Sequence, residues 1–196
     1  MIRFALVEDG RQVAELIYII IESMDIPLFR NCSKEQVIDF ILYCFHEKGN
    51  RFSRNNIIVK EIDNRIAGMA VAYSGKDAPA LDRNLCMILK KFFPNQFIVI
   101  DKEAGEDEFY VDSLCVFPDY RGRGVGTQLL KWLEGMAFNK GFTKISLNVE
   151  CGNLKALNLY RFIGYKIEKK ITIAGHGYFH MVKKPEAKQD RPGLVE

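Results

Sequence analysis

The sequence predicts an α+β fold in a single domain, and three observations carry this. Short runs rich in β-branched and aromatic residues alternate along the chain with stretches that repeat apolar residues at helical spacing. Two pairs of β-rich runs are separated by tight-turn sequences, "DN" at 63–64 and "AGHG" at 174–177, which makes them hairpins. Residues 1–184 contain no repeat, low-complexity block or linker, and a polar tail with two prolines, 185–196, is expected to be poorly ordered.

Each element has its own signal. "IRFALV" at 2–7 reads as a first strand. Val13, Leu16, Ile17, Ile20, Ile21 and Met24 mark a helix that Pro27 ends. "SKEQ" at 33–36 has the Ser-x-x-Gln form of a capping box, and Val37, Ile38, Ile41, Leu42 and Phe45 continue it as a second helix. "NIIVKEI" and "RIAGMAVAY" form the first hairpin. Residues 78–93 read as an amphipathic helix stopped by Pro94, "QFIVID" as an extra strand, and "KEAGEDE" at 102–108 as a solvated acidic loop. "FYVDSLCVF" is a strong strand stopped by Pro118. Leu129, Leu130, Leu133, Met136 and Ala137 mark a long helix capped by Gly141. "TKISLNVE" is a strand, and "NLKALNLYRFIG" a short helix between Asn153 and Gly164. "YKIEKKITI" and "YFHMVK" close the chain as the second hairpin.

Composition narrows the function classes. The 196 residues are 48% hydrophobic and 27% charged, with a formal net charge of +3, too weak to argue for nucleic acid or a membrane surface. Five cysteines at wide spacing, with no Cys-x-x-Cys, give no zinc pattern and suit free thiols in a reducing compartment. No signal-peptide layout opens the chain, and its longest apolar run is far too short to span a bilayer. A cytoplasmic protein without metal is expected. Cys115 and Cys151 read as packing residues rather than nucleophiles, and His176 and His180 as surface histidines.

The most informative stretch is "YRGRGVG" at 120–126, between a strong strand and a strong helix. A helix N-terminus leaves backbone N–H groups unpaired, its dipole favours negative charge, and glycines let a phosphate approach the backbone. Arg121 and Arg123 add charge-assisted donors. The bland alternative is a tight turn with solvated arginines. The P-loop pattern is missing, and the dinucleotide pattern fails because the third glycine is replaced by Thr127 or Leu129.

Arg121-Gly122-Arg123-Gly124-Val125-Gly126 has the form Arg/Gln-x-x-Gly-x-Gly/Ala, and "NLKALNLYRFIGY" follows downstream as Asn-x-x-Ala-x-x-Leu-Tyr-x-x-x-Gly-Tyr. With these two patterns in this order, the chain resembles the GNAT superfamily of acetyl-CoA-dependent N-acetyltransferases over about residues 2–183. The resemblance implies a mixed, mostly antiparallel sheet of about seven strands flanked by helices, with a splayed strand pair holding the cofactor. It implies that the backbone from Arg121 through Gly122, Arg123, Gly124, Val125 and Gly126 to Thr127 binds the pyrophosphate of coenzyme A. Leu114, Cys115 and Val116 would pair with the pantetheine arm, a backbone N–H there serving as oxyanion donor. Asn153 would contact the pantetheine and Tyr160 would protonate the leaving thiolate; on residue type alone they are an N-cap and a core tyrosine. The positions where family members carry a glutamate base hold Tyr110 and Asn148, so both are empty of a carboxylate. Strand alternation puts Glu108, Tyr110 and Asp112 on one face, and Asp112 becomes the candidate base, against a structural pairing or a water chain in its place.

The expected activity is acetyl transfer from acetyl-CoA to a primary amine of a small molecule or peptide; the alternative is a non-catalytic acyl-CoA sensor. The apolar "MDIPLFRN" at 24–31 leans toward an acceptor with an apolar portion. The insertion at 75–107 either caps the acceptor site or builds a contact, and the fold admits a homodimer.

Overall fold

The computed structural model describes residues 1–96 and 98–186; the expected tail therefore lies almost wholly outside the described residues. Seven strands form one sheet in the order β1-β2-β3-β4-β5-β7-β6. They are β1 (Ile2–Phe4), β2 (Ile57–Ile62), β3 (Arg65–Ser74), β4 (Glu108–Val116), β5 (Lys144–Glu150), β6 (Lys166–Ile173) and β7 (His176–Lys183). Every pairing is antiparallel except β4 with β5. Among the described residues five α-helices flank the sheet: α1 (Gly10–Ser23), α2 (Lys34–His46), α3 (Ala78–Phe92), α4 (Val125–Asn139) and α5 (Leu154–Phe162).

Local chemistry sets these boundaries. Ser33 accepts from the Gln36 N–H while the Gln36 side chain accepts from the Ser33 N–H, so the capping box forms. Asp63 and Asn64 both take the left-handed conformation that a tight hairpin turn requires. Gly141, at φ 78°, donates to Phe138, and Phe142 donates to Ala137, a Schellman closure of α4.

The core lies on both faces of the sheet. Ile17, Ile38, Phe40, Phe45, Met69 and Tyr110 lead one cluster under α1, α2 and α3. Leu129, Leu133, Phe109, Ile145 and Met181 lead the other, under α4 and α5. Three expectations are corrected here. The first strand stops at Phe4, because the chain turns at Val7 into α1. Residues 98–101 of "QFIVID" form no ladder; this apolar run covers a cavity, and Asp101 ties it to the last hairpin by accepting from the Ala174 N–H at 2.8 Å. The acidic stretch is not uniformly solvated: Glu106 and Asp107 are exposed, whereas Glu103 is largely covered and Glu108 buried.

Candidate active site

The parallel pair opens halfway. β4 and β5 run in register from Glu108 opposite Lys144 to Val111 opposite Leu147. Beyond that point β4 stays on β3 while β5 stays on β7, so a wedge opens between them from Asp112 and Asn148 onward. A β-bulge fixes the vertex: Val111 pairs with Ala72 and Ser113 with Val71, leaving Asp112 as the extra residue. The bulge reverses the alternation, so that Cys115 joins the α1 side of the core and Leu114 and Val116 the α4 side. The Phe117 N–H bonds Ala67 on β3. By alternation the polar backbone groups of Leu114 and Val116 face the wedge.

The glycine stretch closes the wide end of the wedge. Gly122 and Gly124 have φ near 75°, a conformation that strains any other side chain there. Gly124 caps α4 with no side-chain help, so the first-turn N–H groups of Val125, Gly126 and Thr127 have no intrahelical acceptor. A Cβ on Gly126 would meet only ordinary contacts, the nearest 3.7 Å away at Leu114, so nothing in the protein demands glycine there. Its absence of side chain leaves the helix end open. Arg121 and Arg123 are exposed, although Arg121 Nε donates to the Val116 carbonyl at 3.0 Å and Arg123 lies over the Tyr120 ring.

Asn153 and Tyr160 line the opposite wall with Ala156. Asn153 caps α5, its Oδ1 accepting from the Ala156 N–H at 3.1 Å. Among the described residues the half-buried Tyr160 hydroxyl has no hydrogen-bond partner. Burial pushes it up to about 12, so the phenol holds its proton at neutral pH.

A cavity of about 600 Å³ runs from this wedge under α1, α2 and α3. At the vertex it meets a cluster that the sequence did not announce. The Arg51 guanidinium, 7% exposed, faces three carboxylates: Asp82, Glu103 at 2.5 Å and Asp112 at 3.2 Å. Asp112 also accepts from the Tyr73 hydroxyl at 2.6 Å and the Ser113 hydroxyl at 2.8 Å. Glu103 Oε2 accepts from the Tyr110 hydroxyl at 2.7 Å, and the Glu103 carbonyl accepts from Asn148 Nδ2 at 3.1 Å. Tyr110 and Asn148 are thus linked to each other and to Glu103. The carboxylate missing from both strand positions is delivered to them by a loop. Burial raises the Glu103 pKa; Arg51 opposes this and Asp112 reinforces it.

Behind Asn148 lies His180, which the sequence placed at the surface and which is fully buried. His180 Nδ1 meets Asn148 Oδ1 at 2.8 Å and Nε2 meets Glu108 Oε1 at 3.1 Å. Both ring nitrogens thus face side-chain oxygens of neighbouring strands. Burial alone would raise Glu108, but His180, the Gly105 N–H and the Ser146 hydroxyl hold it down to about 2. Glu108, Glu168 and His180 have one ligand atom each within 4.8 Å of one another, but Lys144 Nζ, 3.6 Å from Glu168, already supplies positive charge there. Cys115 is buried, and burial raises its thiol pKa, the environment of a packing cysteine.

The model of the "Acetyltransferase (GNAT) family" matches residues 19–165. The chain belongs to this family. A crystal structure described as an acetyltransferase superposes with a TM-score of 0.82 at 34% identity, over 95% of this chain and all of that one. An N-acetyltransferase from Staphylococcus aureus Mu50 gives 0.81 at 30%, over 93% and all of its chain. The thialysine N-epsilon-acetyltransferase of Mus musculus is 44% identical over 55 residues, 28% of this chain and 32% of that protein. Its Sus scrofa counterpart is 36% identical over 87 residues, 44% and 49% respectively. The chain thus spans a third to a half of the length of these curated relatives. The expected GNAT fold, with its sheet of about seven strands, holds, and no described helix is long and apolar enough to cross a membrane.

Proposed function

We propose that the protein transfers an acetyl group from acetyl-CoA to a primary amine, with Glu103 as the base. The observation that supports this most is the open wedge. β4 presents an unpaired edge from Asp112 to Val116, the uncapped α4 N-terminus stands at one end, and a buried carboxylate stands at the other. These features fit coenzyme A: backbone donors from Arg121 to Thr127 for its pyrophosphate, a strand edge at Leu114–Val116 for its arm, and Asn153 and Tyr160 facing it. Bound there, it supplies an activated acetyl thioester.

The chain's own residues do the rest. Glu103 takes a proton from the incoming ammonium, and its raised pKa brings it nearer to the working pH than an ordinary carboxylate. Asp112 keeps that pKa up and, with three donors of its own, acts as a positioning residue rather than as the base the sequence suggested. Arg51 holds the two carboxylates together. The amine nitrogen forms the C–N bond and the C–S bond breaks. The departing sulfur takes a proton from Tyr160, whose raised pKa keeps that proton available. The ammonium gives up two protons in all: one through Glu103 to solvent, one to restore Tyr160.

The test is thermal unfolding with and without acetyl-CoA, then thiol release over a panel of amines. Stabilisation with release for some amine is expected. Stabilisation without release for any amine would leave a coenzyme-binding sensor, and no stabilisation at millimolar acetyl-CoA would refute the cofactor site.

A further inference from the structure

Away from the carboxylates the same cavity has an apolar arm. Ile17 and Ile21 of α1, Phe29 of the intervening turn, Phe40 of α2, and Leu85 and Leu89 of α3 line it. Ile98 and Ile100, from the unpaired run 98–101, close it from the remaining side. The charged groups gather elsewhere: Glu103 and Asp112 at the vertex, Asp101 and Glu150 also on the lining. Among the described residues Arg51 is the only cation lining the cavity, and three carboxylates already face it.

We propose that the acceptor is a primary amine with one ammonium group and an extended hydrocarbon body, the ammonium on Glu103 and Asp112 and the body in the apolar arm. This rests on the transferase reading above. Charge complementarity decides it. The vertex carries more negative than positive charge, so a single cation is welcome there, whereas the arm is walled by aliphatic and aromatic side chains. A polyamine lying along the arm would put its second ammonium among the side chains of Ile17, Ile21, Leu85 and Leu89, which is strongly unfavourable. An amino acid would bring its carboxylate against Glu103 and Asp112, with no free guanidinium to receive it. The other occupant of such an arm is a long acyl chain on the donor. Such a chain would desolvate the two carboxylates without compensating their charge, so the amine is favoured.

The experiment is thiol release with acetyl-CoA over ethylamine, butylamine, hexylamine and octylamine, set against spermidine, lysine and thialysine. Calorimetric binding of the same amines to the Tyr160→Phe variant accompanies it. Each added methylene should raise kcat/KM about threefold to fourfold while the arm fills. Octylamine should exceed spermidine and lysine by at least a hundredfold. Ile20 of α1 also lines the cavity, and Ile20→Trp, which narrows it, should lower the octylamine-to-ethylamine ratio at least tenfold, a ratio that a loss of folded protein would not move. Turnover that is flat across the alkyl series, or that favours spermidine, lysine or thialysine, overturns the acceptor and leaves the transferase standing. Faster reaction of octanoyl-CoA with ethylamine than of acetyl-CoA with octylamine assigns the arm to the donor and also overturns it. Chain-length-dependent amine binding with no release supports the amine site and removes the transferase; no amine binding and no release refutes both.

Discussion

Glu103 and Glu108 come from one acidic stretch, both are largely or fully buried, and their environments drive them in opposite directions. Glu108 has donors to itself: the His180 ring, the Gly105 N–H and the Ser146 hydroxyl. It is held down to about 2. Glu103 shares its one cation with Asp82 and Asp112, and its pKa rises. The difference lies in how many negative groups divide each donor, since burial acts on both in the same sense. One carboxylate is a strut fixing β4 to β7. The other is set to accept a proton, and it stands where the cavity meets the wedge.

Exchanging each for its amide separates the two roles. Glu103→Gln should lower kcat by about 10² to 10⁴, the usual span for a lost general base. It should leave the melting temperature at pH 7 equal or higher. A carboxyl whose folded pKa lies above its unfolded value weakens the fold as pH rises through that range, and Gln removes the weakening. Glu108→Gln should do the reverse. A depression from 4.5 to about 2 corresponds to about 3 kcal/mol of stability at neutral pH. That contribution is present above about pH 4.5 and fades as the pH falls toward about 2, so urea unfolding of the variant and the parent should converge in acid. Equal losses of rate and stability in both variants would break the distinction.

Smaller changes sharpen the rest of the site. Tyr160→Phe should cut turnover about tenfold to a hundredfold with acetyl-CoA still stabilising the protein, as read by thiol release and thermal shift. Gly124→Ala forces a side chain into the left-handed region at φ 74°. It should cost about 1–2 kcal/mol, and the displaced α4 N-terminus should weaken acetyl-CoA binding measured by calorimetry. Asn153→Ala removes the α5 cap at a cost of about 1 kcal/mol in urea unfolding.

What the sequence announced was local chemistry. The Ser33 capping box, the Asp63-Asn64 turn, the glycine closure of α4 and the glycine stretch at its start each depend on a few neighbouring residues. What it concealed depends on distant chain. Arg51 follows α2 with no periodic signal, and nothing near it shows that Asp82, Glu103 and Asp112 will converge on it. His180 sits in a strand whose alternation places it inward, yet its partners Asn148 and Glu108 come from two other strands. The run 98–101 shows how an apolar segment misleads: a strand and a cavity wall need the same side chains, and only the missing ladder separates them. Strand alternation puts Asp112 on the cavity face, as the structure has it, but cannot report that Arg51, Tyr73 and Ser113 all engage it.

The account rests on Glu103, and the pH dependence of kcat/KM for one good amine, in the parent and in Glu103→Gln, tests it most directly. The parent should show a rising limb above the ordinary carboxylate range, and Glu103→Gln should lose that limb together with most of the rate. An unchanged limb with an undiminished rate in Glu103→Gln would contradict the assignment of Glu103 as the base.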